Sequence, residues 1–249
     1  MKVITISNQK GGVAKTATAA ALWAGFNMRG YKTLAIDLDP QRNLSDGAGA
    51  DENKTIFGVM SREITAGEAI QTVDDMDLIA STQMLAAADS IFTETGKECI
   101  LRESLEPLKD KYRYCIIDTP PTLNVLTVNA LTASDSVIIP VYADVYSITG
   151  LTKLYLTMNA VKKYFNPSLT IEGILLARYK SNTNMSREIT ELLQDTAQQL
   201  DTVVFNAKIR DCVKVAEAPA RRRNLLKEYP TATAAEDYNS LIDELLKGR

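Results

Sequence analysis

The chain has 249 residues, 45 % of them hydrophobic and 24 % charged, which is the composition of a soluble globular fold and not of a disordered one. At roughly 150 residues per domain, that length allows one large α/β domain or two small ones, with a core that needs no disulfide or structural metal. A net charge of −3 argues against a protein that is basic overall, and the absence of histidine excludes Ser-His and Cys-His catalysis, histidine metal sites and histidine pH switching.

Short apolar, β-branched runs at 3–6, 33–36, 78–80, 115–117, 137–141, 171–176 and 203–205 predict strands buried on both faces of a mostly parallel sheet. Between them, helical patterns run over 15–29, 97–111, 124–133, 148–164, 186–200 and 236–247, with Gly30 and Asn166-Pro167 as helix stops. Residues 46–77 are the least regular stretch and are expected to hold short helices or an insertion. Alternation of strand and helix over the whole length predicts a single domain, residues 1–249, with a doubly wound, mostly parallel α/β sheet flanked by helices. Cys99, Cys115 and Cys212 are too far apart for a CxxC clip and are expected to be buried thiols in a reducing cytoplasm. Met1 and Lys2 lead straight into the first strand pattern, and no apolar run approaches the roughly 20 residues that span a bilayer. The expected location is the cytoplasm.

Open α/β sheets bind ligands at the carboxyl ends of their strands. After the first strand comes Asn8-Gln9-Lys10-Gly11-Gly12-Val13-Ala14-Lys15-Thr16, then an Ala-rich helical stretch from Ala17. Such a turn can cradle phosphate: backbone N–H groups and the helix start face the anion, the lysine neutralises it and the threonine hydroxyl reaches Mg²⁺. The strict phosphate-loop pattern is broken by Gln9 and Ala14. On these residues alone, a tight strand-to-helix turn, with Gly11 and Gly12 supplying unusual backbone angles, stands beside the phosphate cradle.

The segment Lys10–Thr16 resembles the deviant Walker A motif, KGGxxKS/T, of the ParA/Soj/MinD ATPases. Asp37-Leu38-Asp39-Pro40-Gln41 resembles the family's DxDPQ segment. Asp118-Thr119-Pro120-Pro121 with Leu126–Leu131 resembles its DxPP…LTVNAL stretch. Ile139-Pro140-Val141…Gly150-Leu151 is similar to its IPV…GL passage, with Asp144 at a usual glutamate. Residues 181–186 are similar to its SRTNLS loop, with Asn182 replacing arginine, and 204–206 with 213–219 are similar to VFN…VRLSEAP. The resemblance runs from Met1 to about Tyr238 and is closest to the ParA/Soj partition ATPases.

The resemblance implies an enzyme that hydrolyses ATP slowly with Mg²⁺ and switches through an ATP-sandwich homodimer. Lys10 would reach the partner's nucleotide across the dimer, and Gly11, Gly12, Val13, Ala14, Lys15, Thr16 and Ala17 would cradle the phosphates. Lys10, Lys15 and Asp39 would be catalytic, Asp39 by placing the attacking water; Thr16, Asp37 and Asp118 would form the metal region. Adenine is expected near residues 209–213, where Arg210, Asp211 and Cys212 depart from the family's proline, arginine and asparagine. The family also implies non-specific DNA as a partner, a ParB-like stimulating protein and a nucleoid-associated location.

For DNA contact, Arg221, Arg222 and Arg223 with Lys214 and Arg210 nearby form a basic patch, and phosphate-backbone contacts require no base reading. A family arginine near Pro230–Tyr238 has no match here, so a ParA/MinD-like positioning or regulatory ATPase acting on a protein or membrane cargo is the alternative. The apolar stripe of Tyr238, Leu241, Ile242, Leu245 and Leu246 is flanked by Glu236, Asp237, Asp243 and Glu244; it is expected to pack on the domain and not on a membrane. The first strand begins at residue 3, which predicts no operator-reading helix-turn-helix ahead of it.

Overall fold

The computed structural model describes residues 1–142, 144, 146–179 and 184–247, without the side chains of 146–149 and 184–188. Residues 181–183 of the stretch similar to SRTNLS, the side chains of 184–186 and those of Ile148 and Thr149 therefore fall outside the described residues. The strands are β1 (Lys2–Ile6), β2 (Thr33–Asp37), β3 (Gln71–Val73), β4 (Met76–Ile79), β5 (Tyr114–Asp118), β6 (Ser136–Tyr142) and β7 (Thr170–Ala177). They form one sheet in the order β3-β4-β2-β5-β1-β6-β7. Every pairing is parallel except β3–β4.

The helices are α1 (Lys15–Met28), α2 (Asn43–Ala48), α3 (Ile56–Met60), α4 (Ala66–Ala69), α5 (Ala88–Ile91), α6 (Ile100–Leu105), α7 (Val125–Ala133), α8 (Tyr146–Tyr164), α9 (Asn184–Gln199), α10 (Lys214–Ala220), α11 (Leu225–Glu228) and α12 (Thr233–Lys247). They cover both faces, because alternate residues of a strand point to opposite sides. Along β5, Ile116 packs with α1 and α12, while Cys115 and Ile117 pack with α3 to α7. A third cluster joins β6 and β7 to α8 and α9. The doubly wound α/β expectation holds.

The C-terminal stripe also packs as expected. Tyr238, Leu241 and Ile242 are fully buried, with Leu245 and Leu246 packed against them. α12 crosses α1 at Gly25, where an added Cβ would collide with Ile242 Cδ1. Among the described residues no helix is long and apolar enough to cross a membrane.

Four local expectations change. Residues 46–77 hold the anticipated short helices but also the β3–β4 hairpin, which closes at Asp74 and Asp75 with φ of 52° and 62°; two successive left-handed residues make the twist-matched hairpin turn. Residues 97–108 are a broken run, a 3₁₀ turn, α6 and a second 3₁₀ turn containing Pro107, whose missing N–H cannot continue the helix. At 203–205 only Val204 bridges to β7, at Ile174. There the Phe205 ring occupies the space beside Gly173, where a Cβ would lie 2.6 Å from Cε2. α10 was not anticipated as a helix; it ends with Pro219 in its last turn.

Candidate nucleotide site

β1, β2 and β5 are neighbours in the sheet, so their carboxyl ends deliver three loops to one edge. Parallel register sets Asp118 opposite both Ile6 and Asp37. The Asp37, Asp39, Asp118 and phosphate-loop expectations therefore converge in space.

The loop after β1 is fastened by Asn8, whose Nδ2 donates to the Pro140 carbonyl at 2.6 Å and whose Oδ1 accepts the Lys10 N–H at 3.0 Å. Gly12 (φ 74°) and Ala14 (φ 65°) are left-handed. For Ala14 this costs about 1–2 kcal/mol relative to the right-handed form, strain held by the surrounding fold. Gly11 is not left-handed, so the unusual angles belong to Gly12 and Ala14; a Cβ on Gly11 would meet nothing within 4 Å. The helix that follows has no acidic residue in its first turn, which leaves its N–H groups and positive end to an anion.

Lys15 is 7 % exposed, and its Nζ donates to the Lys10 carbonyl at 3.3 Å. Burial lowers its pKa, and the neighbouring Asp118 and Asp39 charges oppose that shift. Asp118 is completely buried, and neither carboxylate oxygen has a hydrogen-bond partner. Burial and the adjacent Asp37 push its pKa well up, against the Thr16 hydroxyl and Lys15 beside it. A carboxylate cannot stay ionised and orphaned in a dry site without a compensating cation. Two unpartnered hard oxygens next to a threonine hydroxyl fit Mg²⁺, which takes one or two carboxylates and keeps several waters.

Asp37 is occupied differently. Its Oδ2 accepts the Ser45 N–H at 2.9 Å and the Ser45 hydroxyl at 2.7 Å, and its Oδ1 accepts the Asp39 N–H at 3.0 Å. Burial lifts its pKa to about 6, against those hydrogen bonds. This carboxylate caps α2, whose own N-cap, Arg42, supplies no side-chain cap. Asp39 is nearly buried, its Oδ1 accepts the Gln41 N–H at 2.9 Å, and its carbonyl accepts the Ser81 hydroxyl at 2.6 Å. Lys10 pairs with Asp144 of its own chain and lies over the Tyr142 ring at 5.4 Å.

Several contributors were not anticipated. Arg42 is buried, donates to the Ser81 carbonyl and pairs with Asp46 at 3.1 Å. Tyr142 donates to the Gly12 carbonyl. Only the rule about carboxyl ends of strands could have flagged Tyr142, the last residue of β6; Arg42 carries no local signal.

The basic patch is rearranged relative to expectation. Arg221, Arg222 and Arg223 are exposed on the turn between α10 and α11 and make no ion pair among the described residues. Lys214 pairs with Glu217 at 2.6 Å, and Arg210 is held by Asp237 at 2.7 Å and Glu236 at 3.3 Å. Both of those charges are answered within the fold. Beside the patch, a cavity of about 770 Å³ opens between α1, α2, the β3–β4 hairpin and α10, with Trp23, Met76 and Leu225 in its wall.

Residues 1–171 match the family model described as an AAA domain. The sporulation initiation inhibitor protein Soj of Bacillus subtilis is 36 % identical over 250 residues, covering 98 % of both chains. The chromosome partitioning protein ParA of Myxococcus xanthus is 33 % identical, covering 99 % of this chain and 88 % of its own. Among solved structures, a plasmid partition protein of Borrelia burgdorferi bound to AMPPNP superposes with a TM-score of 0.85 at 25 % identity, covering 100 % of this chain and 99 % of its own. Cobyrinic acid a,c-diamide synthase of Mycobacterium smegmatis with bound ADP and magnesium gives a TM-score of 0.84 at 30 % identity, covering 99 % and 94 %. With its Lys10–Thr16 loop, paired strand-end aspartates and full-length relatives, this chain belongs to the ParA/Soj/MinD family of deviant Walker A P-loop ATPases.

Proposed function

We propose that the chain is a ParA-like partition ATPase with one domain over residues 1–249. It binds Mg-ATP, closes into an ATP-sandwich homodimer, holds DNA without sequence preference, and is released by slow hydrolysis that a ParB-like partner stimulates. The observation that carries the Mg-ATP part of this reading is the buried Asp118 carboxylate, without a hydrogen-bond partner in normal geometry, beside Lys15 and Thr16; the exposed turn of Arg221, Arg222 and Arg223 supports the DNA part.

Phosphoryl transfer to water needs positioning and charge stabilisation more than covalent chemistry. Lys15 and the N–H groups from Gly11 to Ala17 hold the phosphates. Thr16 and Asp118, the latter through water, would hold Mg²⁺, which supplies neutralisation of the charge developing on the phosphates. Asp37 keeps the Asp39 loop in place, and Asp39 orients the attacking water. Lys10 leaves Asp144 to reach the partner's nucleotide. Arg221, Arg222 and Arg223 contact the DNA backbone, with Lys214 contributing once Glu217 yields it; the protein works in the cytoplasm on the nucleoid. A positioning ATPase with a protein or membrane cargo is the second reading, favoured by the internal pairing of Lys214 and Arg210, which reduces the basic patch to three arginines.

The test is binding of the Asp39→Ala variant to a random-sequence duplex with ATP and with ADP across a salt series. ATP-dependent, sequence-indifferent binding is expected, with a log–log salt slope that falls by about 5 when the three arginines of each chain, six in the dimer, become alanine. A dimer that forms with ATP and ignores DNA would reject the DNA reading in favour of the second.

A further inference from the structure

We propose that Tyr142 is a positioning residue for the phosphate loop, itself held through Arg178 by Asp211, so that the phosphate side and the 209–213 side of the nucleotide site are mechanically linked. The proposal rests on the nucleotide-binding reading and deepens it. Three hydrogen bonds connect the two sides. Arg178 Nε donates to Asp211 Oδ1 at 3.0 Å, Arg178 Nη1 donates to the Tyr142 hydroxyl at 2.9 Å, and that hydroxyl donates to the Gly12 carbonyl. Successive bonds of this kind polarise and strengthen one another.

The loop needs such a hold. Gly11 and Gly12 together have more backbone freedom than any other residue pair, and Gly12 sits at φ 74°. Because a peptide unit is planar and trans, anchoring the Gly12 carbonyl on Tyr142 also fixes the opposite direction of the Val13 N–H, one of the donors assigned to the phosphates. The ring contributes as well. Lys10 Nζ lies 5.4 Å and the Arg178 guanidinium 5.2 Å from its centroid, so the same side chain steadies the lysine.

At the far end, the link is anchored to backbone. Tyr179 N–H donates to the Ile209 carbonyl at 2.8 Å, and Tyr179 bridges to Arg210, which joins the end of β7 to the loop carrying Asp211. Arg178 itself is left-handed, at φ 50°, a conformation an arginine keeps only where its surroundings impose it. A shift of the 209–211 loop therefore pulls on Arg178, and through Tyr142 on the phosphate loop.

The experiment is a double-mutant cycle on ATP and ADP dissociation constants, measured by calorimetric titration of the full chain, with steady-state hydrolysis alongside. Tyr142→Phe keeps the ring under both cations and removes only the hydroxyl. It is expected to weaken both nucleotides about tenfold, the loss of one hydrogen bond on a mobile loop, raising KM with kcat within about twofold of wild type. Asp211→Asn is expected to weaken them about threefold. The pair in one chain should bind no worse than Tyr142→Phe alone, because the link is already broken. Arg178→Lys, which keeps the charge but loses the planar fork, should lie between the two single variants.

Unchanged affinity in Tyr142→Phe would overturn the proposal. So would losses that multiply in the double variant, or a fall in kcat at constant KM. A wild-type chain that binds neither nucleotide would instead overturn the nucleotide reading beneath it.

Discussion

Replacing Asp118 by asparagine separates what that side chain costs the fold from what it does for a ligand. Without a ligand, both of its carboxylate oxygens are buried and unpartnered. The asparagine keeps the shape and removes the charge. Its own amide is still buried, so the relief is about 1–2 kcal/mol, the lower part of the range for an unsatisfied buried polar group. At about 2.1 cal/mol/K per residue, unfolding 249 residues releases roughly 0.5 kcal/mol/K, and the Tm of the ligand-free variant should rise by about 2–4 °C. Most substitutions lower stability, which makes a rise diagnostic. Mg-ATP at 100 times its Kd should add about 2.7 kcal/mol to the wild-type chain, or roughly 5 °C, and much less to the variant.

The pH dependence has a definite sign. Burial lifts the Asp118 carboxyl above its ordinary value of 3.8, so the fold favours the protonated form. The wild-type chain keeps that contribution below about pH 4 and loses it as the pH rises through the shifted value. The advantage of Asp118→Asn is therefore widest near neutrality and closes towards pH 4. Differential scanning calorimetry of both chains, with and without Mg-ATP at two pH values, reads all of this. A lower Tm for the ligand-free variant at neutral pH, or a Mg-ATP shift equal to that of wild type, would refute the reasoning.

Two further outcomes are expected. Lys15→Ala removes the buried cation beside Asp118 and should weaken ATP by about 30- to 5000-fold, the range for truncating one partner of a buried charge pair; near-normal affinity in a titration would remove Lys15 from the proposed cradle. Gly25→Ala drives a Cβ into Ile242 and should lower Tm by about 2–6 °C, the effect of overpacking by roughly 1–3 kcal/mol. Adding Ile242→Val, which deletes the colliding methyl, should restore part of that loss, and an absence of rescue would place the strain elsewhere.

The parts of this protein legible in one dimension are those whose cause is local. Strands buried on both faces announce themselves as unbroken apolar runs, and the turn from β1 to α1 carries its lysines, glycines and threonine within seven residues. The two-carboxylate segment after β2 and the acid ending β5 were likewise readable, because each follows its strand directly. The β3–β4 hairpin was not: Asp74-Asp75 adopts the turn that Asn-Gly would advertise, and three-residue β3 is too short to show a period. α10 was hidden by its length of seven residues and by Pro219.

Composition and periodicity by themselves determined the fold class, and the resemblance carried by Lys10–Thr16 and the strand-end aspartates determined the family. Only the tertiary structure decided what each charge is committed to. Asp37 and Asp118 stand at equivalent strand ends, yet one is satisfied by Ser45 and the other is left without a partner. Arg210 and Lys214 look as available as Arg221 in the sequence, but α12 and Glu217 answer them. A side chain's partners can lie far away along the chain, 134 residues in the case of Lys10 and Asp144 and 130 in that of Tyr142 and Gly12. No local pattern encodes such a pairing; it exists once the sheet has brought its carboxyl ends together.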